Sequence, residues 1–236
     1  MIAEETRIAS VLQRAIIALS HQGPLLDIAR HHVKAINGNS EAIDRLINEQ
    51  RGGLGEWADD LIAEDFDPIN RHGIIGIWVA LEVAVEDTVV LILSKDASAL
   101  QLLADAGVRL PQSLSSPLTE ADARRVYKRL ESYSRNNRSV ADGYAYLLSI
   151  LRIPFALSSE VINSLAELNY VRNCLLHRAG FADERSSTEA PDLALSLGAP
   201  IKVPSARYRH YFDSAAKFAQ ALLTGVVNSP YVRLKS

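Results

Sequence analysis

The stretch from Ile74 to Leu93 limits most severely what this chain can fold into. It is nearly all apolar and long enough to cross a bilayer as a helix. It also carries Glu82, Glu86 and Asp87, and carboxylates are costly in lipid. The segment therefore reads as a long helix of a water-surrounded bundle, starting at Pro68 and running to about Leu93. At helical period, Trp78, Leu81, Val85, Val89, Ile92 and Leu93 share one stripe. Glu82 falls inside that stripe, where a lone charge would be expensive.

The rest of the chain reads as helices with short punctuation, so the expected fold class is all-α. Three N-terminal helices are expected, over about 4–20, 25–36 and from Ser40 to near Gly52-Gly53. Gly23-Pro24 and Asn37-Gly38-Asn39 separate them. A short helix follows near Glu56–Ala63. After the long helix, Asp96 opens another that ends near Ala106. Thr119, followed by Glu120 and Asp122, marks a helix start with acids in its first turn. Asn136-Asn137 breaks that helix, and an apolar one spans about Val140 to Leu151. Ser158-Ser159-Glu160 starts the next, which Gly180 ends. Residues 184–206 carry Pro191, Pro200 and Pro204 and read as an ordered loop. Leu193–Leu197 and Ile201–Val203 could pair there as a small hairpin across Gly198-Ala199-Pro200. A final helix runs from about Tyr208 to Val226. A hydrophobic content of 48% sustains one core. The expected organisation is a single domain over 1–236, with a helical extension over 1–67 and a core over 68–228.

Charge and cysteine usage narrow the function classes. The formal net charge is −3, so no global positive field draws in nucleic acid. Charge is uneven, however: 41–67 holds nine acids and two bases, whereas 121–138 holds six bases and two acids. Arg124, Arg125 and Lys128 in the second stretch form a candidate RNA-binding face. Arg207 and Arg209, interleaved with Tyr208 and Tyr211, are a second candidate, since single-strand binders mix cations with aromatics; an amphipathic helix start is the other reading. The lone cysteine, Cys174, excludes an internal disulfide. The amino-terminal residues are acidic and lack a secretory pattern, so the expected location is cytoplasmic. His31-His32 point 100° apart on a helix and lack a matching carboxylate, so no metal site is expected. No Gly-rich phosphate loop, Ser-His-Asp spacing or Cys-His cluster is present.

One segment carries chemistry. The run Leu165-Ala166-Glu167-Leu168-Asn169-Tyr170-Val171-Arg172-Asn173-Cys174-Leu175-Leu176-His177 ends a helix and is followed by Arg178, Gly180 and Asp183. An arginine fork donates charged hydrogen bonds to phosphate. Histidine moves protons near neutral pH. With Arg172 set at zero, Val161, Leu165, Leu168, Leu175 and Leu176 fall within about 60° of it. Asn169, Asn173 and His177 make an i, i+4, i+8 row on one shoulder. Arg172 thus needs a counter-charge, and Glu82 needs one too. The simplest joint solution sets them face to face across a helix pair.

This segment resembles the HEPN superfamily, whose mark is Arg, often followed by Asn, then four to six residues to a His. The helix carrying Trp78, Leu81 and Glu82 is similar to that family's first core helix. The resemblance reaches at most from about Pro68 to Leu223, and is dense over about twenty residues around the motif. It implies an all-α bundle, a small loop or hairpin after the motif helix, and a metal-independent endoribonuclease without cofactor. Cleavage would use the ribose 2′-OH and leave a 2′,3′-cyclic phosphate. Arg172, Asn173 and His177 would be the catalytic residues, with Glu82 supporting Arg172 and Arg178 near the RNA. The family pairs two motifs at a dimer interface, which implies a homodimer. Many members act as toxins or phage-defence effectors, which implies an antitoxin or regulatory partner. Ala179 stands where some relatives carry a modified Tyr, so that form of control is not implied.

Two other readings stay open. The chain could be a non-catalytic HEPN-fold module that binds RNA or protein, since a fold does not secure an activity. It could also be a helical structural protein in which Glu82 and Arg172 merely fix helix register and His177 satisfies the last carbonyls of its helix.

Overall fold

Short polar side chains set the helix starts, as their donors and acceptors require. The computed structural model describes residues 45, 56–110, 114, 118–136 and 138–232. Thr119 Oγ1 accepts from Asp122 N at 3.2 Å, and Ser139 Oγ accepts from Asp142 N at 3.1 Å. Ser158 Oγ accepts from Val161 N at 3.4 Å. Each hydroxyl satisfies one of the orphan donors in its helix's first turn.

The described elements run α1 (Glu56–Ala63), α2 (Asp67–Lys95), α3 (Ser98–Asp105), α4 (Glu120–Ser134), α5 (Val140–Ile150), α6 (Ser159–His177), α7 (Ser186–Glu189), a 3-10 turn (Pro191–Leu193) and α8 (Ser205–Val227). The fold is all-α. The helices expected over about 4–20, 25–36 and from Ser40, and the His31-His32 pair, lie outside the described residues. No described helix is long and apolar enough to cross a membrane.

Contacts divide the described residues into two units. The first holds those up to Gly73 together with Lys202–Arg209. Ala58 and Leu61 form its apolar centre, with Phe66 and Ile69 packed against them. Its polar clamp is buried: the Asp67 carboxylate accepts from Val203 N, and Asn70 Nδ2 donates to Val203 O at 3.0 Å. Ser205 N donates to Asp65 Oδ2 at 2.9 Å.

The second unit holds Ile74–Ile201 and the residues from His210 on. Trp78, Leu81, Tyr144, Leu147, Leu168, Tyr170, Tyr211 and Phe218 fill its core. Phe218 meets the rings of Phe155 and Tyr144 edge-on, at 5.1 and 5.9 Å, a geometry the ring quadrupoles favour. At Gly225, α8 approaches the 153–154 backbone so closely that a Cβ would stand 2.1 Å from Pro154 O. Only glycine fits there.

The stretch after α6 departs from the expected hairpin. Gly180, at φ 82, sits in the left-handed region, and its N–H closes on Cys174 O at 3.0 Å, ending α6 as a Schellman-type cap. The backbone then pairs Phe181 with Pro200 in a single antiparallel bridge. Leu193 is taken up by the 3-10 turn that Pro191 starts. No strand forms among the described residues. Pro200 has no N–H to offer a ladder, and Ala182 N donates to Ala199 O instead.

Candidate functional site

The burial of α6 is broader than its Leu spacing indicates. Val161, Leu165 and Leu168 are buried as expected, but so are Ser164, Tyr170, Val171 and Cys174. Leu176, placed in the stripe by its angle, is 45% exposed. The buried arc is therefore turned away from Arg172, which lies at its edge with a side chain 20% exposed. The rotation follows from the loop after Gly180, which covers a second side of α6. Asp183 N donates to Tyr170 Oη at 3.1 Å and pins that loop to the helix. Burial pushes the Tyr170 phenol up to about 12. Cys174 is fully buried and serves as packing.

At the Arg172 edge the expected ion pair is present. Arg172 Nη2 lies 3.7 Å from Glu82 Oε2 on α2. Arg172 Nη1 donates to Asn173 Oδ1 at 2.9 Å, so the neighbouring amide is held in register with the guanidinium. Arg172 Nε is buried with no hydrogen-bond partner. Glu82 is not Arg172's alone, which sequence reasoning missed. Arg135 at the end of α4 places Nη2 3.7 Å from Glu82 Oε1 and 2.8 Å from Glu131 Oε1. The same nitrogen donates to Tyr144 Oη at 2.9 Å, and the guanidinium lies 5.4 Å from the centroid of the Tyr144 ring. Burial pushes the Tyr144 phenol well above its ordinary range. Two cations and two carboxylates thus balance around Glu82. The contacts at 3.7 Å are ion pairs without hydrogen-bond geometry, and Glu82 is 31% exposed.

His177 is the last residue of α6 and is exposed. It stands one turn beyond Asn173 on the same side of the helix. Arg178 follows, 59% exposed, with Nε 3.8 Å from Asp183 Oδ2. Hydrogen bonds from Arg185 hold the Asp183 carboxyl below the usual carboxylate range.

The other side of α6 opens into a cleft of about 510 Å³. Asn163, Asn169 and Asn173 line it from α6, Arg138 from the turn before α5, and residues 188–192 from the loop. The side chains of Asn163 and Asn169 make no hydrogen bond among the described residues. Asparagine costs a helix interior up to about 0.7 kcal/mol relative to alanine, so three on one helix side are not there for helix stability. Sequence reasoning picked out Asn169 and Asn173 in their row with His177. It did not reach Asn163 or Arg138, whose approach depends on the packing of α5 and the loop.

The expected RNA-binding cations fare differently. Arg124 is held by Glu86 at 2.7 Å, Glu120 at 3.0 Å and Asp87 at 3.3 Å, so its charge is already offset. Arg125 pairs with Asp122 at 3.3 Å. Lys128 is exposed and makes no ion pair among the described residues. Arg207 and Arg209 belong to the first unit, and Arg207 Nη1 donates to Lys202 O at 3.4 Å. Tyr208 and Tyr211 are buried at 7% and 0% exposure; Tyr211 Oη donates to Glu167 Oε1 at 2.6 Å. Neither ring can stack on a base, so that segment is an amphipathic helix start and not an aromatic platform. Among the described residues, no group of three or more His, Cys, Asp or Glu side chains is placed to hold a metal ion.

No family model matches the chain, and no curated protein or solved structure does either.

Proposed function

We propose that this chain is a metal-independent endoribonuclease of the kind the HEPN-like motif implies, working as a toxin or phage-defence effector. The observation that carries the reading is the arrangement at the end of α6. Arg172 is backed by Glu82 and tied to Asn173 at 2.9 Å, one turn before the exposed His177. In the reaction, the ribose 2′-oxygen attacks the adjacent phosphorus and gives up its proton to a base. The P–O5′ bond breaks, and the departing 5′-oxygen takes a proton from an acid. His177 supplies one of these proton transfers. Arg172 meets the charge that builds on the phosphorane oxygens, and Asn173 orients the His or a phosphate oxygen.

One His serves one transfer at a time, so a second copy of the chain is proposed to complete the site across a two-fold axis. A homodimer of two 25.9 kDa chains is the expected mass by light scattering at micromolar concentration. A monomer at that concentration counts against the paired site. The activity itself is tested with the purified chain on RNA in EDTA, with His177→Ala as control. Cleavage by the wild type alone supports the proposal, and loss of cleavage in EDTA contradicts it.

A second reading, of a module that binds RNA or a protein without cutting, has an observation of its own. Both terminal nitrogens of Arg172 are engaged, by Glu82 and Asn173, and phosphate would have to compete with Glu82. Tight RNA binding with no cleavage by the wild type selects that reading.

A further inference from the structure

The turn after α3 gathers cations that no carboxylate answers. Gly107, at φ 80, takes the left-handed region that glycine allows. Val108 N closes on Leu103 O at 3.0 Å, which ends α3. Two bonds then fix the turn to α4: Tyr133 Oη donates to Ala106 O at 2.8 Å, and Arg129 Nη1 donates to Arg109 O at 3.3 Å. A recess of about 440 Å³ lies there, lined by Arg109, Lys128, Arg129, Ser132 and Tyr133 beside the turn's own backbone. Its three charged residues are all cations, and none makes an ion pair among the described residues. Elsewhere on and beside α4 the guanidiniums are engaged. Arg124 meets Glu86, Asp87 and Glu120, Arg125 meets Asp122, and Arg135 meets Glu131 and Glu82. The sequence that follows the turn, 111–117, contains no acid.

We propose that this recess binds a terminal phosphate group, as the free anion or as a monoester, through Arg109, Lys128 and Arg129. Like charges gathered at one recess repel one another, and an anion among them relieves that repulsion. The charge count selects the anion. An internal phosphodiester brings one negative charge to three cations. A phosphomonoester brings about −1.5 to −2 near neutral pH and three acceptor oxygens. Arginine forks and a lysine ammonium donate charged hydrogen bonds to such oxygens, and the Ser132 hydroxyl adds a neutral donor. The recess is built from α4 and the turn after α3, with no residue of α6, so the site stands whether or not the chain cuts RNA.

The test titrates the full chain with inorganic phosphate, methyl phosphate and dimethyl phosphate, followed by phosphorus NMR at constant ionic strength in chloride. The wild type is expected to bind the first two and to bind methyl phosphate about tenfold more tightly than dimethyl phosphate, which carries one charge. Methyl phosphate bound as tightly as inorganic phosphate assigns the site to esters; inorganic phosphate bound alone assigns it to the free anion, and either result supports the site. Arg109→Glu, outside any helix, and Arg109→Gln/Arg129→Gln are each expected to weaken methyl phosphate about tenfold or more. Both keep the wild-type circular dichroism, because these side chains are exposed. Arg125→Gln removes a cation from the same helix outside the recess and is expected to change nothing. Equal affinity for methyl and dimethyl phosphate overturns the site. So does binding that survives both recess variants, or an equal loss in Arg125→Gln, which would reduce the effect to net charge. Arg172→Ala separates this site from the proposed nuclease. Phosphate binding lost in Arg172→Ala and kept in the recess variants places the anion at α6 and overturns the recess. Binding kept in Arg172→Ala and lost in the recess variants supports it, whatever the chain does to RNA.

Discussion

Arg172 and Asn169 lie within one turn of each other on α6, yet their surroundings are opposite in kind. Around Arg172 the charges are balanced: Glu82, Arg135, Glu131 and Tyr144 close a network across α2, α4 and α5. Around Asn169, the side-chain amides of Asn163 and Asn169 line the cleft and have no hydrogen-bond partner among the described residues. A charge-balanced network fixes positions and resists charge changes. An unsaturated one waits for a partner, because each amide gives up water only for an equivalent bond. The difference assigns roles within the proposed function. Under the proposed function, the Arg172 side is the one that holds a guanidinium in place for chemistry.

The largest expected effect falls on the chemistry. Arg172→Ala and His177→Ala are each expected to lower RNA cleavage by about 100-fold or more, measured as initial rates on a labelled RNA in EDTA. A His177→Ala enzyme with wild-type rates would remove the motif side of the comparison altogether.

Glu82 tests how far the Arg172 side depends on its charge balance. A fully buried pair broken on one side costs about 3–5 kcal/mol. At 31% exposure and 3.7 Å, with Arg135 relying on Glu131 as well, Glu82→Ala is expected to cost about 1–2 kcal/mol. In a chain of this length that is a fall of roughly 2–8 °C in Tm. Glu82→Gln keeps the shape and is expected to melt closer to the wild type while cleaving poorly. Calorimetry paired with rates decides it; equal losses of stability and activity in both variants would mean that Glu82 acts on the fold alone.

Surface cations offer a gentler comparison. Lys128→Ala is expected to reduce the salt dependence of RNA binding by about one unit of slope, as one lost phosphate contact would. Arg124→Ala is expected to leave that slope nearly unchanged, because three carboxylates already offset the guanidinium. The reverse order would show that the α4 face is used differently.

The smallest effect concerns Tyr170, whose hydroxyl holds the loop after α6 at Asp183. Burial raises its phenol to about 12, above an ordinary value near 10. A raised folded-state value means that its contribution is intact below pH 10 and is lost as pH climbs from 10 through about 12. Denaturant melts across that window are expected to show the decline in the wild type and a shallower one in Tyr170→Phe. Identical pH profiles would leave Tyr170 out of the alkaline loss.

Much of the fold was legible because its signals are local. Thr119 and Ser158 cap where a hydroxyl before an acidic turn says they must, and Gly180 stops α6 where a left-handed residue is needed. Glu82 and Arg172 were legible together because each is a charge on an otherwise apolar stripe, and charges so placed seek each other. What stayed hidden depends on packing at long range. The 193–203 stretch has strand-like residues, but Pro191 and Pro200 impose a 3-10 turn and a single bridge. Arg135 joins Glu82 only because α4 packs against α2, and nothing in its local sequence says so. The cleft exists because Tyr170 anchors the loop at Asp183. Its one local trace is a helix that tolerates three asparagines.

The most direct test of the account is the chemistry of the RNA ends left by the purified chain. Mass spectrometry of products made in EDTA is expected to find 2′,3′-cyclic phosphate facing 5′-hydroxyl, with no product from His177→Ala. Ends carrying 3′-hydroxyl and 5′-phosphate, formed only when divalent metal is supplied, would contradict it.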